Sequence, residues 1–255
     1  MYKAGVFCTA FAGQLGNGDF FCMPFKKSKL ISAITVYTIG DILSIGVSGF
    51  LLIPIYLRFM TPDEYGLFSI ITTTTTMLGV IMSLGFHSAV GRYYFDYQTT
   101  DKQYEFLSSI WLFQLMFAVI LGIILLIWGK PLWSWLMPGI PEYPYFGMVL
   151  AIATCAFSSG IYSIWLRVQE KPYGFVVLQM FSTFSILVLM MVLLIWNRGG
   201  ALGAVIAFLV SNLTIACLTF FMLGKRCKLV FDFKYIKDSL MFGVWMMVGT
   251  LGFFF

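Results

Sequence analysis

Apolar residues fall in long unbroken blocks, separated by short polar or proline-rich corners. Six blocks have the roughly 20-residue length an α-helix needs to cross about 30 Å of hydrocarbon. They run from about Thr35 to Leu57, Gly66 to Val90, Phe106 to Trp128, Tyr145 to Leu166, Gly174 to Trp196 and Gly200 to Leu223. A seventh begins near Leu240 and reaches Phe255. It would cover only about 24 Å, less than a full crossing. A β-barrel would alternate apolar and polar residues in segments of about ten, and these blocks do not alternate. The pattern predicts an all-α integral membrane protein. Residues 31–223 form a six-helix transmembrane unit, and residues 224–255 form a basic link and an incomplete seventh helix.

Punctuation between the blocks is uneven. Residues 1–30 are apolar but broken by Gly13, Gly16, Gly18 and Asp19, and no stretch in them approaches spanning length. They are read as a poorly structured cytoplasmic extension, its first 22 residues being without fold or a product of start-site choice. A cleaved signal built on Lys3 and the short apolar run Gly5 to Ala12 is the competing reading. Met23-Pro24-Phe25-Lys26-Lys27-Ser28-Lys29 is then the basic flank of the first span. The corner Arg58 to Gly66 carries Thr61, Pro62, Asp63 and Glu64, and Arg58 has Asp63 and Glu64 as pairing partners. Thr100-Asp101-Lys102-Gln103 has the spacing of a helix-capping box before the third span. The link after that span holds Pro131, Pro138, Pro141 and Pro144, which are expected to stop the helix. Its Trp133, Trp135 and Tyr143 suit the headgroup zone.

Composition excludes a soluble protein. Only 11% of the 255 residues are charged and 60% are hydrophobic, against about 25% charged in soluble domains. The five cysteines show no paired spacing, and one histidine supports no metal cluster. The net charge of +5 is explained by its distribution and calls for no nucleic acid. Lys3, Lys26, Lys27, Lys29, Arg92, Lys102, Arg167, Lys171, Lys225, Arg226, Lys228, Lys234 and Lys237 fall in the N-terminal segment and the even-numbered links. Only Arg58, Lys130 and Arg198 fall on the other side. By the positive-inside rule the N-terminus and the even-numbered links are cytoplasmic.

Asp41 is the one acid inside a span, about 9 Å from its start. Intramembrane carboxylates are costly and usually face a bundle interior or an aqueous cavity. Asp41 is therefore a candidate for binding a coupling ion, against the plain reading of a residue snorkelling to the interface. His87 and Arg92 close the second span, and Arg167 closes the fourth. These three are candidate substrate contacts, against the plain reading of interfacial anchors. Arg198 sits alone in a tight turn and carries no argument. No P-loop, Asp-x-Asp or acyltransferase-type His-Asp spacing is present, so the residues point to no enzyme and no cofactor.

Pro54-Ile55-Tyr56-Leu57-Arg58 with Thr61-Pro62-Asp63-Glu64-Tyr65-Gly66 resembles the Wzx-like polysaccharide flippases. These belong to the multidrug/oligosaccharidyl-lipid/polysaccharide exporter superfamily. Ser83 to Val90 with Arg92 to Tyr97, Arg167 to Lys171, and Phe231 to Gly243 continue the resemblance, which covers roughly residues 26–245. It implies one lobe of a two-lobe flippase plus the start of the seventh helix. The chain would then be a truncated product, and Val244-Trp245-Met246-Met247 departs from the proline the family places there. The implied function is flipping of a lipid-linked oligosaccharide by alternating access in cell-surface polysaccharide biosynthesis, in a bacterial inner membrane. The implied substrate is an oligosaccharide on a polyprenyl pyrophosphate. Membrane lipids, polymerase and chain-length proteins are the implied partners. Arg92, Arg167 and His87 would contact substrate. Asp41 would couple a proton or sodium gradient. A multidrug extruder of the same superfamily, a glycan-modifying membrane enzyme and a non-functional fragment are the competing readings.

Overall fold

The computed structural model describes residues 27–97, 99–137, 139–196, 199–225 and 231–252. The extension over residues 1–26 lies outside them. Nine α-helical segments follow one another among the described residues, joined by π and 3-10 turns and with no strand. They are α1 (Lys27–Val47), α2 (Ile53–Phe59), α3 (Pro62–Ser83), α4 (Phe86–Tyr93), α5 (Thr100–Leu136), α6 (Tyr145–Val168), α7 (Pro172–Met191), α8 (Gly200–Gly224) and α9 (Phe233–Leu251). Six stretches are long and apolar enough to cross a membrane: Thr35–Phe59, Pro62–Ser83, Asp101–Pro131, Tyr145–Val168, Pro172–Leu194 and Gly200–Gly224. The chain is an all-α, multi-pass membrane protein. Its even-numbered links share one end of the bundle, called the basic end below.

Several local expectations change. The second span is not one helix: Leu84 and Gly85 both take positive φ, at 47° and 67°, and separate α3 from α4. Leu84 has to bear this conformation with a Cβ, so the surrounding packing must hold it. The first span also changes pitch. Pro54 has no N–H to return to the preceding turn, and the helix widens into π turns over Ser48–Leu52 just before it. Pro131 does not stop α5, which runs on to Leu136. The first helix already starts at Lys27, and the seventh starts at Phe233 rather than near Leu240.

The expected capping box before α5 is absent. Thr99 takes the cap position without a side-chain bond, and the Gln103 amide donates to the Tyr97 carbonyl at 2.8 Å. The box forms instead at the first corner. The Glu64 N–H donates to Thr61 Oγ1 at 3.3 Å, and the Thr61 N–H donates to Glu64 Oε2 at 2.9 Å. With Glu64 so engaged, no ion pair joins Arg58 to Asp63 or Glu64 among the described residues. The same carboxylate lies against Gly200, where a Cβ would collide with it. The corner therefore fixes the start of α3 and seats the start of α8.

In a bilayer apolar side chains gain little by leaving lipid, so helices associate through close approach and buried hydrogen bonds. That logic is visible throughout. Ile42, Ile45, Phe50, Leu57, Ile127, Trp128, Val177 and Phe221 stand exposed. Gly40 of α1 lies directly against Val176 of α7. Beside it, the Ser44 and Thr183 hydroxyls meet at 2.6 Å and the Gln179 amide donates to Ser44 at 3.1 Å. Ser158 of α6 meets Thr219 of α8 at 3.4 Å. Two large packed cores and a small third one, on Met82, Leu150 and Ala153, result among the described residues. One, toward the first corner, is built on Tyr56, Phe68, Ile71, Trp133 and Leu194. The other, toward the basic end, is built on Phe86, Phe106, Trp111, Trp165 and Phe175.

α9 docks on the second core. Its Tyr235 ring meets Tyr97 and Phe106. Burial, reinforced by Tyr235 and nearby acids, pushes the Tyr97 phenol up to about 12, so it stays protonated and neutral in this packing. The closest approach is backbone to backbone. A Cβ on Gly85 would strike the Gly243 carbonyl, and a Cβ on Gly243 would strike the Leu84 carbonyl. Phe242-Gly243 thus sits on the α3–α4 break because neither partner has a side chain there.

Candidate functional site

Two sites emerge, one charged and one not. The charged one lies at the basic end. Arg167 occupies the last turn of α6, where the helix dipole favours a cation. Its guanidinium stacks on Phe175 of α7, 4.3 Å from the ring centre. From there Nη2 reaches Asp41 Oδ2 on α1 at 3.7 Å. The two side chains keep 50% and 43% of their surface open, so the pair is loose and accessible, worth at most about 1 kcal/mol to stability. The Tyr37 ring closes on Phe175 edge-on at 5.5 Å. Its hydroxyl is buried without a hydrogen-bond partner among the described residues. The sequence treated Asp41 and Arg167 separately, because they are far apart along the chain. The structure brings them together across α7.

The second site is a half-open cavity of about 410 Å³ between the helices, within the usual range for small-molecule sites. Its wall comes from α3 (Thr75, Thr76, Ser83), α4 (His87, Ser88), α6 (Ile152, Ala156), α8 (Phe208, Asn212) and α9 (Met247, Thr250). Among the described residues, no acidic or basic one other than His87 lines it. His87 is wedged between helices: its ring occupies the place a Cβ on Gly160 of α6 would take. The positive-φ break turns α4 relative to α3, and it is α4 that carries His87 and Ser88.

His87 thus belongs to the cavity, and Arg167 with Asp41 to the separate charged site between α1, α6 and α7. Arg92 joins neither. It lies in the last turn of α4 and stacks over Phe242 of α9 at 5.0 Å and over Tyr93 at 5.7 Å. The polar lining was missed in the sequence. The Thr72–Thr76 run, whose hydroxyls can bond back to the helix, is by sequence as tolerable in lipid as in a bundle interior and so marks no cavity. Asn212, mid-span in the sixth block, was the stronger unread signal, since an amide in that position needs a polar surrounding.

No curated protein matches the chain in a sequence comparison. Solved structures do. A multidrug resistance MATE family transporter of the MOP superfamily, in an outward-facing conformation, superposes with a TM-score of 0.64 at 18% identity, over 86% of this chain and 52% of its own. A MOP superfamily transporter from Pyrococcus furiosus, described by a reversed polarity of its binding pocket, gives 0.62 at 18% identity, over 88% and 52%. MATE in complex with MaD3S gives 0.65 at 19% identity, over 86% and 53%. The chain spans about half the length of these structures, and the likeness is one of fold. A family model described as polysaccharide biosynthesis protein matches residues 55–255. That match runs from the first corner through the cavity helices to the helix seated on the α3–α4 break, and by it the chain belongs to the polysaccharide biosynthesis protein family.

Proposed function

We propose that this chain is part of a transporter, not an enzyme, that flips a lipid-linked oligosaccharide across the membrane during cell-surface polysaccharide biosynthesis. The observation that carries the reading is the cavity: among the described residues it offers hydroxyl and amide groups and no carboxylate. An organic-cation extruder would need an acid there to offset the ligand's charge, and a sugar needs hydrogen-bonding groups. The polysaccharide family match supports the same choice.

In this reading the basic end faces the cytoplasm of a bacterial inner membrane. The polyprenyl pyrophosphate enters there and its phosphates meet Arg167, which has donors left over beyond Asp41. Arg92 lies within the same interfacial layer and guides the headgroup. The glycan passes into the cavity beside His87. Asp41 couples the cycle to a proton or sodium gradient: a cation at Asp41 frees Arg167 for phosphate, and return of the carboxylate releases it. Alternating access then carries the headgroup to the outer face. Polymerase and chain-length proteins receive the product.

The test is depletion of the protein in its own cells, followed by labelling of lipid-linked oligosaccharide with a membrane-impermeant lectin. Accumulation on the inner leaflet, with loss of surface glycan, is the expected result. Normal surface glycan with no inner-leaflet accumulation sinks the proposal.

A further inference from the structure

We infer that the basic end of α8 binds an anionic phospholipid of the surrounding leaflet, at a groove separate from the cavity. The groove is half-open, has a volume of about 290 Å³ and is lined by Leu218, Phe221, Met222 and Lys225. These four stand at i, i+3, i+4 and i+7, so they make one stripe along the helix. Leu218, Phe221 and Met222 are apolar and exposed. Lys225 is the first residue past the membrane-spanning run, which ends at Gly224. The stripe therefore starts among acyl chains and finishes at headgroup depth.

The cation is held in place. Lys225 caps the C-terminus of α8, where the helix dipole favours positive charge. Its ammonium lies 4.2 Å from the centre of the Phe221 ring, folded back onto the groove by the attraction of the ring face. Among the described residues no acid pairs with it. The stripe is anchored to its neighbours as well. The Tyr162 hydroxyl of α6 donates to Met222 Sδ at 3.3 Å. Phe220, next to Phe221, packs on Trp111 of α5 with ring centres 4.9 Å apart.

The chemistry of the groove selects its occupant. Free phosphate finds one exposed lysine, and the apolar stripe adds nothing for it. An uncharged lipid covers the stripe and leaves the ammonium without a counterion. A zwitterionic headgroup brings its own cation, which competes with the lysine for the phosphate. A lipid with a net anionic head and an acyl chain uses all four residues. Five basic residues against two acids between Lys225 and Asp238 add attraction to an anionic leaflet. The cavity takes its α8 wall from Phe208 and Asn212, more than a turn away, and shares no residue with the groove. The lipid is thus a resident of the outer surface, whatever the cavity carries. It presses on residues that tie α8 to α5 and α6, so an anionic membrane stabilises this end of the bundle.

The experiment uses the full chain in detergent with equal amounts of dioleoyl phosphatidylglycerol and dioleoyl phosphatidylcholine. Native mass spectrometry counts the lipid retained. Phosphatidylglycerol should be retained at least about fivefold more than phosphatidylcholine, the worth of one interfacial lysine. Lys225→Gln should lower its retention by the same factor. Leu218→Trp fills the groove, keeps every charge and should do likewise. Lys225→Arg should keep the lipid, and so should Lys237→Gln, which removes another exposed cation at the same end. Phosphatidylglycerol should raise the melting temperature of the chains that retain it. Melts in phosphatidylcholine alone show which variants are folded, and the lipid ratio on the unaltered chain decides without any variant. Equal retention of the two lipids overturns the inference, as does full retention in Leu218→Trp. A loss in Lys237→Gln as large as in Lys225→Gln would mean diffuse attraction and no site. Displacement of phosphatidylglycerol by an equal amount of undecaprenyl phosphate would give the groove to a carrier lipid and overturn it too.

Discussion

The cavity and the Asp41–Arg167 pair are built by opposite means. The cavity is held by backbone shape: a positive-φ break, two glycines in direct contact and a histidine filling the space over a third. Its polar groups are mostly tied to their own helices. The pair is a half-exposed ion contact with its cation stacked on a ring. Changing the first should damage the fold. Changing the second should leave the fold standing, since loose pairs can swap partners and close-packed backbones cannot.

Breaking the container should give the largest effect. Gly85→Val adds a β-branched side chain at φ 67° and drives it into the Gly243 carbonyl. The expected cost is about 3 kcal/mol or more, read as a lower melting temperature in detergent with separation of α9 from α4. A melt unchanged from wild type would show that the contact does not organise this region. Arg167→Ala comes next and touches only the charged pair. Glycan export should fall about tenfold or more, the equivalent of one lost charge-assisted hydrogen bond. The melt should move by less than about 1 kcal/mol.

Asp41→Asn tests the other half of that pair. Export should fall severalfold with protein level unchanged, and full export in the variant would remove Asp41 from the mechanism. Thr76→Val sharpens the comparison from the cavity side. It keeps the shape, removes an acceptor and returns one backbone carbonyl to its own helix. Transport of a neutral repeat unit should drop a few-fold, about 1 kcal/mol, and the melt should hold. Thr61→Ala is the smallest change and lies away from both sites. It opens the capping box at the first corner for about 1 kcal/mol, measured as a small melt shift with export intact.

How much of this was legible in the sequence depends on the range of the interaction. The spans were legible because crossing length is a property of a contiguous run. The corner was recognised by its residues, but its mechanics were not. Thr61 and Glu64 have the same capping-box spacing as Thr100 and Gln103, and spacing alone does not tell them apart: at the second pair Thr99 takes the cap position and Gln103 turns to Tyr97. The break at Leu84 and Gly85 was hidden because Leu84 gives no sign of positive φ. It lies against Gly243 of α9, a contact from far along the chain. Asp41 and Arg167 were singled out one at a time, since nothing in sequence spacing joins α1 to the end of α6.

The sequence alone determined the solvent and the material: an all-helical chain in lipid, six runs long enough to cross, basic links gathered to one side, and one carboxylate below the surface. These follow from local composition and from the cost of exposed backbone in hydrocarbon. The tertiary structure decided everything that needs two helices at once. It chose which threonines face a cavity, which glycines touch, where His87 is wedged and which arginine finds Asp41. In a membrane the apolar pattern cannot supply that information, because lipid and protein interior are equally apolar. Only close approach of particular backbones, and the few polar groups they enclose, sets the arrangement.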